Sequence, residues 1–290
     1  MDMEHFFIGL RLANLIIPGD PDHLTLNTPA GSWKFRKDPR FNDSKAAILN
    51  NGMTAETYSI CFEGSYTGSR AAAMDAADAE LIPLCLAASY LTALSVTPTG
   101  SLPSSQVSFI SVGPHFPRAR SMGSGFPVTD DAIEFAGLME AFVRAYAGAG
   151  VVEKIRLIAH HFLDALAFWS LEDLVLSTTT ILEIIAVTAK SQASPGTQIN
   201  NFNDRMIFAA SRFNLPILPP DFRNMRNDLI HEGTLSGTRF QDKDATACGI
   251  AAAEALDWID RYVFAALQLG PIPLPRFARE GFRGVNSFSL

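Results

Sequence analysis

At 290 residues, with 48% hydrophobic and 18% charged side chains, the chain is long enough for about two domains and can fill a real core, which excludes disorder for most of its length. A net charge of −7 excludes a broad nucleic-acid-coating surface, because phosphate neutralisation needs clustered Lys and Arg; a confined site stays open. The odd, widely spaced Cys61, Cys85 and Cys248 fit reduced thiols, and six scattered histidines with no His-x3-His or His-Glu-x2-His spacing lend no support to a metal site, so no metal or other cofactor is expected.

The chain starts acidic, with Asp2 and Glu4, and its first apolar run soon meets Arg11, so it lacks the basic start of an export signal. A cytoplasmic protein is expected. Residues 4–17 read as a strand of Phe, Ile and Leu ended by Pro18-Gly19-Asp20-Pro21, and 32–37 alternate apolar and polar as a half-buried strand does. The stretch 56–66 is β-rich, the Ala-dense 69–95 has helical periodicity, and 106–112 is a third strand candidate. Together these predict an α+β domain over 1–115, with one long helix across a small, mostly antiparallel sheet.

Glycine and proline from 113 to 128 give linker composition, which sets a linker over 116–129. From Asp130 the pattern becomes helical runs at 130–147, 151–169, 171–190, 199–212, 221–232 and 244–268, predicting an all-α bundle over 130–270 and a tail over 271–290. Asp221 after Pro219-Pro220 reads as an N-cap and Gly233 as a stop; Asp242 or Asp244 caps the last helix. The apolar segments 81–96 and 174–189 are short or interrupted by Pro83, Glu183 and several Ser and Thr, so neither is expected to span a membrane. The basic lean of 32–45 and 271–290 reads as solvated faces. The Gly64–Gly68 and Gly123–Gly125 spacings lack a P-loop lysine, and no Ser-Lys or Gly-x-Ser-x-Gly nucleophile setting occurs.

Within 221–233, Arg226, Asn227 and His231 stand among apolar Phe222, Met225, Leu229 and Ile230, which are expected to face the bundle. Arginine and histidine are the pair that RNA cleavage without metal requires. An imidazole moves the 2′-hydroxyl proton, and a guanidinium fork stabilises phosphate charge in the transition state. At a helix C-terminus the dipole favours imidazolium. Positions five apart lie roughly 140° apart on a straight helix, so the arginine must reach round to share a site with the histidine. A two-fold dimer would bring two such helices into one cleft.

Arg226-Asn227-x3-His231, late in a bundle and followed by a loop and a last helix, resembles the HEPN (higher eukaryotes and prokaryotes nucleotide-binding) superfamily, whose motif is Arg-x4–6-His, often with a polar residue after the arginine. The stretch 151–190, with His-Phe-Leu-Asp-Ala-Leu-Ala-Phe and then Thr-Ile-Leu-Glu-Ile-Ile, is similar to the paired helices before that motif. The resemblance covers 130–270. It implies an HEPN-like bundle and a metal-independent endoribonuclease acting as a homodimer on RNA, with Arg226 and His231 catalytic and Asn227 supporting. The position two after the histidine, a modified tyrosine in some HEPN toxins, is Gly233 here, which argues against that subclass. An α+β domain ahead of the bundle resembles phage-defence proteins; this implies an anti-phage or toxin effector whose first domain is regulatory and meets a protein or nucleotide trigger.

Plainer readings stand beside these. His231 is also a dipole-favoured helix-terminal group, and Arg226 can pair with Asp228, Glu232 or Glu183. Glu183 either orients Arg226 across the bundle or forms an ordinary salt bridge; Arg223 either touches phosphate or is a solvated charge. On these readings the chain is a non-catalytic HEPN-like binding or dimerisation module, which the acidic balance favours. A third reading is the regulated half of a toxin–antitoxin pair.

Overall fold

The computed structural model describes residues 4–51, 53–66, 69–106, 125–167 and 170–277. The chain divides into two compact units, residues 1–147 and 148–290. The 132–145 helix, grouped with the bundle by its sequence pattern, therefore lies in the first unit. The strand candidate 106–112 and the linker 116–129 fall largely outside the described residues.

Among the described residues, the first unit runs β1 (Glu4–Ala13), β2 (His23–Thr28), β3 (Gly31–Lys37), α1 (Phe41–Asn51), β4 (Glu56–Tyr66), α2 (Arg70–Thr92), β5 (Thr97–Ser101) and α3 (Ala132–Ala145). The strands form one antiparallel sheet in the order β2-β3-β4-β1-β5. Its register aligns Leu26, Trp33, Phe62 and Ile8 across four strands, and Phe35, Ile60 and Leu10 in the next row. All seven are buried, whereas Lys34, Arg36 and Glu63 on the opposite face are exposed, as a one-sided sheet requires. Gly64 is fixed by the same register. It sits opposite Phe6, and a Cβ there would lie 2.2 Å from the Phe6 ring.

β1 is shorter than the 4–17 predicted because Asn14 takes a left-handed φ of 61°, with its backbone N–H bonded to Ala55 O at 3.0 Å. α2 begins at an Ser69 N-cap. From its middle, Glu80 ties the β2–β3 hairpin to the helix, accepting Ala30 N–H and Trp33 Nε1–H at 2.9 Å each and the Thr28 hydroxyl at 2.5 Å. α3, capped by Asp131, meets the same hairpin through Glu140, which accepts Asn27 N–H at 2.6 Å. α1, β2 and β5 carry too little apolar periodicity to stand out in the sequence.

The second unit contains α4 (Ile155–Leu166), α5 (Leu171–Gln192), α6 (Phe202–Arg212), α7 (Pro220–Glu232) and α8 (Ala245–Ala266). α5 is the central helix and packs against the other four. By length and hydropathy alone α5 is apolar enough to cross a membrane, yet 56% of that window is buried, as in a core helix. Among its described residues the unit is thus all-α, around a core of Ile158, Phe162, Ile181, Ile185, Met225 and Ile259.

Two buried ionic networks hold it. Glu153 accepts Arg212 Nη2–H at 2.5 Å and the Tyr262 hydroxyl at 2.6 Å; burial first, and then this carboxylate, push the Tyr262 phenol far above its usual range. Arg276 meets Asp260 through two bonds of 2.9 and 2.6 Å, with both side chains at most 1% exposed, pinning the segment after α8 to that helix. Arg276, assigned to the basic tail by sequence, is therefore a core residue. Cys85 is buried deeply enough that its thiol is pushed up to about 12; Cys248 is also buried and Cys61 partly so.

Candidate functional site

The site is built on α7. Pro219 is its N-cap and Pro220 its first residue, so proline geometry rather than an Asp221 cap starts the helix; Asp221 instead places its charge in the first turn, where the dipole favours it. Gly233, at φ 72°, ends the helix as its sequence predicts. Phe222 and Met225 are buried, which fixes the rotation of the helix, and Asp228 is buried with them. Ile230, assigned to the core by its type, is 47% exposed.

That rotation places Arg226 half-buried beside α5. Its Nη2 donates to Glu183 Oε1 at 3.0 Å, its Nη1 donates to Asn227 Oδ1 at 3.2 Å, and the guanidinium stands 5.8 Å from the centre of the Phe202 ring on α6. Of the three acids offered by the sequence, the arginine therefore takes Glu183. The pair is monodentate, and the buried Nε–H meets no acceptor among the described residues. Asn227 and His231 are four apart and share one face of α7. The bond to Asn227 thus ties the guanidinium to a residue on the histidine's face of the helix. The His231 side chain is exposed and makes no hydrogen bond or ion pair with another described residue. Arg223 donates from Nη1 to Asn203 Oδ1 on α6 at 3.1 Å, a contact between helices.

The neighbouring acids organise the loop after the motif. Asp228, with 0% exposure, accepts backbone N–H groups from Gly237 at 3.0 Å, Arg239 at 3.0 Å and Phe240 at 2.7 Å. Burial alone would raise this carboxyl, but the three donors and the nearby Arg239 charge outweigh it and hold the group below the usual carboxylate range. Glu232 accepts the Thr238 N–H and hydroxyl, each at 3.1 Å. A Cβ on Gly237 would fall 2.5 Å from Glu232 Oε2 and 3.1 Å from Asp228, so a larger residue there would press on both acids that hold the loop. The clamp was not legible from the motif alone. Its signal was an acid inside the helix followed by Gly233-Thr234-Leu235-Ser236-Gly237-Thr238, a run that needs side-chain acceptors for its backbone.

A cavity of about 360 Å³ opens at the other end of α7, between Pro219, Pro220, Asp221, Phe240, Lys243 and the first turns of α8. Neither Arg226 nor His231 lines it. Among the described residues no three His, Cys, Asp or Glu side chains converge as a metal-ligand set. Arg226, Asn227 and Glu183 form one polar cluster, Asp228 holds the following loop separately, and His231 stands exposed at the helix end. No protein-family model, curated protein or solved structure matches the chain.

Proposed function

We propose that the second unit is an HEPN-like bundle acting as a metal-independent endoribonuclease in a homodimer, with Arg226 and His231 as the reacting pair and Asn227 and Glu183 as positioning residues. The observation that carries the reading is the Arg226–Asn227 hydrogen bond of 3.2 Å, which ties the guanidinium to the residue that shares a helix face with His231. In the reaction, the imidazole of His231 takes the proton of an RNA 2′-hydroxyl. The 2′ oxygen forms a bond to phosphorus, the bond from phosphorus to the 5′ oxygen breaks, and the second copy's imidazolium protonates that leaving oxygen. The products are a 2′,3′-cyclic phosphate and a 5′-hydroxyl. Arg226 compensates the charge that gathers on the non-bridging oxygens, and Glu183 limits the freedom of its fork. The first unit is read as the regulatory part of an anti-phage or toxin effector.

A second reading, a non-catalytic dimerisation module, draws on the Arg226–Glu183 ion pair, since a purely structural arginine would look the same. Cleavage of a single-stranded RNA in EDTA separates the two. The ribonuclease reading requires cyclic-phosphate ends, protection by a 2′-deoxy nucleotide at the cut, and losses of at least about a hundredfold in Arg226→Ala and His231→Ala. Equal rates in parent and variants would remove it.

A further inference from the structure

We infer that Arg239 is a phosphate-binding residue for single-stranded RNA, acting beside the reacting pair; the inference rests on the ribonuclease reading above. With a chain charge of −7, most of the surface repels RNA, so any site must supply its own cations. On α7 and its loop, Arg226 is engaged by Glu183 and Arg223 by Asn203. Arg239 differs. Its backbone N–H is fixed to the Asp228 carboxylate, but its guanidinium makes no hydrogen bond among the described residues. Its Nη1 is 3.8 Å from Asp228 Oδ1, and the side chain is 49% exposed.

The carboxylate that faces it is already occupied by the backbone donors of Gly237, Arg239 and Phe240. Asp228 therefore holds the Arg239 charge nearby without using the fork, whose planar donors match a phosphate. Asp228 is adjacent to Asn227 and one turn before His231, so the clamp holds the Arg239 backbone within about one helical turn of the motif. An RNA strand crossing His231 meets this guanidinium at a neighbouring phosphate. Because that phosphate does not react, the contact is made equally in ground and transition states, and it acts on KM rather than kcat.

The test is fluorescence anisotropy of a labelled single-stranded RNA, in EDTA, on full-length His231→Ala protein so that no cleavage intervenes. Arg239→Ala added to that background is expected to weaken binding about tenfold and to reduce the salt slope by about 0.7, with Arg239→Lys recovering part of the loss. Arg261→Ala, which removes an equally exposed arginine from α8, is the charge-matched control and should bind as the background does. Unchanged binding in Arg239→Ala, an equal loss in Arg261→Ala, or no RNA binding by any variant would overturn the inference. The ribonuclease reading is judged separately, by cleavage in protein with Arg239 intact.

Discussion

Arg226 and Glu183 join α7 to α5 through a single contact of 3.0 Å, between side chains that are 25% and 39% exposed. An ion pair this open is weakly stabilising, and its value lies in where it holds the guanidinium. Glu183→Ala should cost under about 1 kcal/mol of folding stability. It should slow RNA cleavage about tenfold by freeing the Arg226 fork, with RNA binding unchanged. Thermal melts and single-turnover cleavage check the two halves; a loss of several kcal/mol with no kinetic effect would make the pair structural.

Asp228 gives the loop after His231 a pH dependence whose sign follows from its lowered carboxyl. The stability it contributes is present in full above the unfolded value of about 3.9, and it is lost as pH falls through the lower folded value. Urea midpoints for parent and Asp228→Asn should therefore differ by a constant amount between pH 5 and 7, and converge below about pH 4. A gap that ignores pH would contradict the clamp. Faster proteolysis between 233 and 240 in the variant is the accompanying local sign.

In the first unit, Glu80 has three donors on one carboxylate. Glu80→Ala strands Trp33 Nε1, Ala30 N–H and the Thr28 hydroxyl, and should destabilise that unit by about 3 kcal/mol. Chemical denaturation followed by tryptophan fluorescence measures it, and an effect below about 0.5 kcal/mol would mean that water satisfies the donors instead.

Arg276 and Asp260 are both fully buried, so the single and double losses should differ in kind. Arg276→Ala takes the cation away from a buried carboxylate and should cost about 3–5 kcal/mol, whereas Arg276→Met with Asp260→Leu should be nearly neutral. Urea unfolding of the two variants decides it. Similar losses in both would show that packing, not the stranded charge, sets the cost.

Elements that announced themselves in the sequence did so through strong local pattern. β3 and β4 alternate, α4 to α8 repeat at helical spacing, and Gly233 stops α7 where a left-handed residue is needed. What stayed hidden depends on contacts distant in sequence. Nothing local distinguishes Arg276 from an exposed tail arginine, because its burial is set by Asp260 on another element. The Pro219–Pro220 start of α7 was misread because an aspartate cap and a proline first turn compete at adjacent positions. Arg226, Asn227 and His231 were visible as residue types at a spacing. Which acid held the arginine, and what Asp228 did, required the fold.

The most direct measurement is cleavage of total bacterial RNA by the full-length protein in EDTA, beside its His231→Ala variant. The account predicts fragments ending in 2′,3′-cyclic phosphate from the parent and none from the variant. Cleavage that survives the loss of His231, or intact RNA with both proteins, would contradict it.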